Sequence, residues 1–130
     1  MFNELETEGE LFLVGGSTYA SGLIEIYHNG TWGTICRRGF SLKEANVACR
    51  QLGFMGANSL NFGFGPGFGT IWLDNVNCIG NSTSLADCNH GPWGSSRCFH
   101  YEDIGVNCRD GMFCFILLPL IILALLIFLY

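Results

Sequence analysis

Positive charge is scarce in this chain: six Lys and Arg stand against eleven Asp and Glu, for a net charge of −5. No basic stripe runs along it, which removes the electrostatic footprint that nucleic-acid binding needs. The imbalance is uneven. Glu4, Glu6, Glu8 and Glu10 crowd the start, whereas from 11 to 108 Arg37, Arg38, Lys43, Arg50 and Arg97 nearly balance Glu25, Glu44, Asp74, Asp87, Glu102 and Asp103. Residues 1–10 therefore read as a solvated, disordered acidic tail. Catalytic signals are also missing. There is no serine nucleophile elbow and no G-x-G-x-x-G phosphate turn. The three histidines, His28, His90 and His100, read as loop or surface hydrogen-bonding groups rather than general bases. Neither an enzyme nor a cofactor is expected, and no catalytic residue is assigned.

C-x-x-C is absent as well, which matters because the chain holds seven cysteines. Structural zinc sites draw ligand pairs two to four residues apart, but Cys78, Cys88, Cys98 and Cys108 are evenly spaced by ten. With Cys36 and Cys49 they make an even set of six, the signature of a disulfide framework formed in an oxidising compartment. Sequence alone leaves all fifteen pairings of six cysteines open. Asn29-Gly30-Thr31 and Asn81-Ser82-Thr83 are glycosylation sequons, so Asn29 and Asn81 are candidate acceptors. The N-terminus has neither a basic n-region nor an apolar h-region, and the chain is therefore expected to be part of a larger protein.

Local signals outline one domain over 11–108. Short strands are predicted over 11–14, 23–28 and 31–36, the last two joined by Asn29-Gly30, a strong two-residue hairpin turn. Ser41 followed by Glu44 is a capping box opening a helix over 41–52. Its apolar stripe is Leu42, Ala45, Cys49 and Leu52, with Gly53 as the left-handed stop. Residues 61–70 (NFGFGPGFGT) read as an irregular loop whose Phe62, Phe64 and Phe68 cover the core; an exposed aromatic patch is the lesser alternative. A strand over 70–76 precedes a loop-rich stretch to Cys108. After a linker at 109–111, residues 112–130 (MFCFILLPLIILALLIFLY) carry no charge. Their length suits one transmembrane helix in a lipid bilayer, with the domain outside and Cys114 a membrane-buried thiol.

Taken in order, the segments LVGGS (13–17), IEIYHNGTWGTIC (24–36), FSLKEANVACRQLGF (40–54), GTIWLDNVNCIGNSTSLADC (69–88) and GPWGSSRCFHYEDIGVNC (91–108) resemble a scavenger receptor cysteine-rich (SRCR) domain. The resemblance implies an α+β fold: a small disulfide-rich domain whose curved antiparallel sheet cradles one main helix. The extra cysteine pair of the eight-cysteine class falls on Ala20 and Phe54, so the domain resembles the six-cysteine, group A type. The family pairing would be Cys36–Cys98, Cys49–Cys108 and Cys78–Cys88.

In function, the resemblance implies an extracellular, receptor-like module that binds polyanionic or protein ligands. The alternative is an accessory SRCR domain cut from a larger protease or oxidase. Family members often use calcium, and the matching carboxylates here are Asp74, Glu102 and Asp103. The acidic pair that should follow the first hairpin cysteine is replaced by Arg37-Arg38, which predicts a lost or weakened cation site. Arg37 and Arg38, joined by Arg97, become the candidate ligand-binding patch, against a plainer reading as a solvated loop with one surface ion pair.

Overall fold

The computed structural model describes residues 6–129, with only the backbone course described for 112–119. The elements run β1 (Leu11–Gly15), β2 (Ser21–His28), β3 (Thr31–Ile35), α1 (Leu42–Gln51), β4 (Gly56–Asn61), β5 (Ile71–Leu73), β6 (Gly105–Arg109) and α2 (Met112–Phe128). The domain is a small disulfide-rich α+β unit with one main helix on a curled six-stranded sheet.

Strand β2 is central. One edge takes β1, with Leu11 opposite Ile26, and the other is shared by β3 along Glu25–His28 and β6 along Ser21–Leu23. The turn into β3 places Asn29 at φ 50° and Gly30 at φ 82°, the double left-handed geometry that the Asn-Gly pair favours. The resemblance implied an antiparallel sheet; the structure departs from it in one place, where β3 and β5 pair in parallel. β4 and β6 were not legible in the sequence, yet they pair with each other along a register that shifts between Ala57 and Ser59.

Alternation sorts β2 by face. Ile24 and Ile26 are fully buried beside Ile35, Ala48, Cys49, Leu73, Ile104 and Val106, while Leu23, Glu25 and Tyr27 point to the opposite face. Helix α1 opens with the expected capping box: Ser41 Oγ accepts from the Lys43 N–H and Glu44 accepts from the Ser41 N–H. Its inward face differs from the predicted stripe. Leu42 is exposed and Glu44 is buried, because Glu44 Oε2 also accepts the Cys78 N–H at 2.9 Å. Residues two apart on a helix lie about 200° apart, so drawing Glu44 inward turns Leu42 outward.

Two further expectations are corrected. Residues 6–10 do not form a loose tail: Gly9 N–H donates to Tyr27 O (2.8 Å), Tyr27 N–H to Glu10 O (2.9 Å) and Gln51 Nε2 to Gly9 O (3.0 Å). Glu4 lies outside the described residues. The C-terminal helix α2 has 17 residues, about 25 Å at 1.5 Å per residue, against a hydrocarbon core of about 30 Å. Among the described residues no helix is long and apolar enough to cross a membrane, in place of the transmembrane helix expected over 112–130. Cys114 falls where side chains are outside the description.

Candidate functional site

Three disulfides hold the domain: Cys36–Cys98, Cys49–Cys108 and Cys78–Cys88. The first sits at the end of β3 and gathers the charged residues singled out above. Arg37 and Arg38 follow Cys36 into a turn closed by Phe40 N–H to Arg37 O, and Arg97 precedes Cys98. All three arginines are exposed.

Their partners differ. Arg38 clamps Asp74 in a two-point pair, Nε to Oδ1 at 3.1 Å and Nη2 to Oδ2. The hydrogen bonds that Arg38 donates to Asp74, then the Asp74 charge, push the Arg38 pKa further up, so this guanidinium stays charged. Arg37 donates its backbone N–H to Glu102 O at 2.7 Å and carries its guanidinium 5.6 Å above the Phe62 ring, a cation–π contact. Among the described residues neither Arg37 nor Arg97 has a carboxylate within salt-bridge distance.

The three candidate metal carboxylates are not brought together. Asp74 is buried against Arg38, with both oxygens engaged. Glu102 turns to the bridge, its Oε2 3.8 Å from Cys36 Sγ and its Oε1 accepting from the Phe99 N–H. Asp103 is buried in another direction, accepting from the Gly67 N–H and from His100 Nδ1, each at 2.8 Å. The one group of metal-ligating atom types among the described residues is Cys36, Cys98 and Glu102, and both sulfurs are spent in the disulfide. A hard dication needs six or more oxygen ligands, and these residues do not fit one.

His100 has both ring nitrogens on acceptors, Asp103 Oδ2 and Gly69 O (2.9 Å). Burial works against its charged form, but the hydrogen bonds to Asp103 and Gly69 and the Asp103 charge outweigh that and hold its pKa above the ordinary histidine value.

Both sequons are exposed: Asn29 at the hairpin tip and Asn81 in the turn after Cys78. Of the three loop phenylalanines, Phe64 lies against Gly105, where an added Cβ would come 2.3 Å from the ring. Phe62 and Phe68 are instead exposed, at 57% and 86%, in place of the predicted cover over the core. The contact of Phe62 with Arg37, 25 positions away in the chain, had no sequence signal. The roles of Glu6 and Glu8 had one. Trp32 Nε1 donates to Glu6 Oε1 at 3.0 Å and His28 Nδ1 meets Glu8, and the alternating glutamates from Glu4 to Glu10 are the period-two pattern of a segment that runs along a sheet.

The family model for the scavenger receptor cysteine-rich domain matches residues 14–109. Lysyl oxidase homolog 4 of Bos taurus is 51% identical over 103 residues, 77% of this chain and 14% of that protein. A scavenger receptor cysteine-rich domain superfamily protein of Patiria pectinifera is 43% identical over 105 residues, 79% of this chain and 9% of that one. The chain thus spans a small part of the relatives it matches. Among solved structures, the third SRCR domain of murine neurotrypsin is similar with a TM-score of 0.70 and 44% identity, covering 76% of this chain and 94% of that one. The dimeric form of the SRCR domain of mouse MARCO gives 0.64 and 44%, covering 74% and 91%. SRCR domains are themselves non-catalytic. The chain belongs to the scavenger receptor cysteine-rich domain family.

Proposed function

We propose that the chain is an extracellular ligand-binding module of the six-cysteine, group A type that takes polyanionic or protein ligands without a calcium ion. The observation that carries this reading is the pair of exposed guanidiniums on Arg37 and Arg97, flanking the Cys36–Cys98 bridge without carboxylate partners among the described residues. Arginine forks suit sulfate and phosphate oxygens. Arg38 is the lesser contributor, because Asp74 already neutralises it. Support for the six-cysteine type comes from Tyr19 packing on Phe54, ring centroids 5.8 Å apart, beside Ala20 where the eight-cysteine class has its extra bridge. Membrane attachment through 112–130, with glycans on Asn29 and Asn81, belongs to the same reading. The apolar surface that Leu120 to Leu129 leave uncovered supports attachment.

One experiment tests these parts together: the full chain behind a cleavable secretory leader, expressed in mammalian cells and probed with fluorescent heparin. Intact cells are expected to stain equally with and without EDTA. Arg37→Asp with Arg97→Asp is expected to weaken staining about tenfold or more, as two lost charge-assisted contacts imply. Staining abolished by EDTA, or unmoved by the double variant, overturns the calcium-free patch. Recovery of the chain only in the medium overturns membrane attachment.

A second reading rests on the lysyl oxidase homologs, of which this chain matches 12–14%: the domain serves as an accessory module of a larger oxidase. An antibody to the domain that detects only a protein of this chain's own size in native tissue would exclude it.

A further inference from the structure

On the sheet face opposite α1, Phe12, Val14 and Trp32 wall a groove of about 310 Å³ with Glu6 and Glu25 at its edges. We infer that this groove binds a lysine side chain presented by a basic segment of a partner protein, its ammonium on Glu25 and its methylene stem along Phe12, Val14 and Trp32.

The charge balance points to a cation. Among the described residues Glu25 has no salt-bridge partner. Burial and the nearby Asp103 charge both raise its pKa, so a positive group would relieve both costs. Behind Glu25, sealed under the 61–70 loop, lie two further oxygens. Thr34 is the cross-strand partner of Glu25 and so shares its face. Thr34 Oγ1 and Asp103 Oδ1 are both fully buried without a hydrogen-bond partner, and both side chains meet at Gly67, where an added Cβ would lie 2.7 Å from Thr34 Cγ2 and 3.1 Å from Asp103 Oδ2. Both oxygens lie under Gly67 and outside the groove lining, so the Asp103 carboxylate acts on a bound ammonium through its charge and not by contact.

The walls select among cations. Phe12 is 59% exposed and Val14 37%, and Phe12 meets Trp32 edge-to-face at 6.2 Å, while Glu6 fixes the indole through its N–H. An aliphatic stem gains from such surface and a cation from the indole face. A calcium ion needs more oxygen ligands than this groove offers, and an anion would meet two carboxylates. The inference uses none of the residues of the arginine patch, so either stands if the other falls.

The test is NMR titration of the full chain in detergent micelles with the peptide acetyl-Gly-Gly-Lys-Gly-Gly-amide, following the Trp32 indole N–H. A saturable shift is expected. The norleucine analogue, which keeps the stem and loses the charge, and the Glu25→Gln variant should each bind about tenfold more weakly, one charge-assisted contact being lost. Phe12→Ala, a change at an exposed side chain, should weaken binding with unaltered melting, and Arg37→Asp with Arg97→Asp should leave it unchanged. Equal binding of the norleucine peptide would reduce the groove to an apolar patch and overturn the inference. So would the absence of any saturable shift, or calcium chloride moving the same signal and displacing the peptide.

Discussion

Replacing Cys49 and Cys108 together by alanine is expected to lower the unfolding free energy by about 4 kcal/mol, as chain-entropy estimates give for a loop of this length. The bridge closes a separation of 59 residues and joins α1 to β6. The same replacement at Cys78 and Cys88, separated by 10, should cost about 2.5 to 3 kcal/mol by that relation. Urea unfolding followed by tryptophan fluorescence measures both, and equal losses would show that loop closure is not the source. Domains of this size hold only about 5–15 kcal/mol in total. Opening all three bridges would forfeit roughly 10 kcal/mol or more, so the domain needs an oxidising compartment to stay folded.

Glu44→Ala is the second large effect, expected to destabilise by about 3 kcal/mol, the sum of a lost helix cap and a stranded buried donor. Glu44 is 1% exposed and accepts from Ser41 N–H and Oγ and from the buried Cys78 N–H. It therefore ties the start of α1 to the Cys78–Cys88 loop. Glu44→Gln keeps one acceptor oxygen but turns its NH2 toward the donors of the other, and should cost about 2 kcal/mol. Burial opposes the charge on Glu44, but those N–H and O–H donors outweigh it and hold the pKa below the usual carboxylate value. A depressed folded-state pKa means a contribution fully present above about pH 4.5 and lost as pH falls through the folded value. The wild type should lose stability over that acid window more steeply than Glu44→Gln. Parallel acid profiles of the urea midpoint would sink this assignment.

Elements written in adjacent residues were legible in the sequence. The Asn29-Gly30 turn and the Ser41/Glu44 capping box are local devices, and both appear where their residues stand. β4 and β6 were missed because GANSLN and GVNCR carry little strand propensity and are strands only through pairing across some 45 residues of chain. The same limit applied to the site. Adjacency put Arg37 and Arg38 next to Cys36, but not the long-range contacts that separate them: Arg38 on Asp74, Arg37 over Phe62. Motif matching likewise grouped Glu102 with Asp103, although Glu102 ends a 3₁₀ turn and Asp103 is already extended, so one faces the bridge while the other is buried against His100. Leu42 failed for a related reason. Periodicity counted it as core, and the buried hydrogen bonds of Glu44 set the helix rotation instead.

The Cys36–Cys98 bridge also determines how the molecule bears tension. A pull applied between the two ends of the chain travels along β1, β2 and β3 to Cys36, crosses the sulfur link to Cys98 and leaves through β6. The chain between those cysteines, including α1, β4 and β5, carries no load, because the covalent shortcut spans a sequence separation of 62. Even with every non-covalent contact broken, only the segments outside the shortcut lengthen, and α1 stays tethered to β6 through Cys49–Cys108. Placed between a bound ligand and an anchoring surface, the domain yields only the chain before Cys36 and after Cys98, and the 62-residue span between them adds no length.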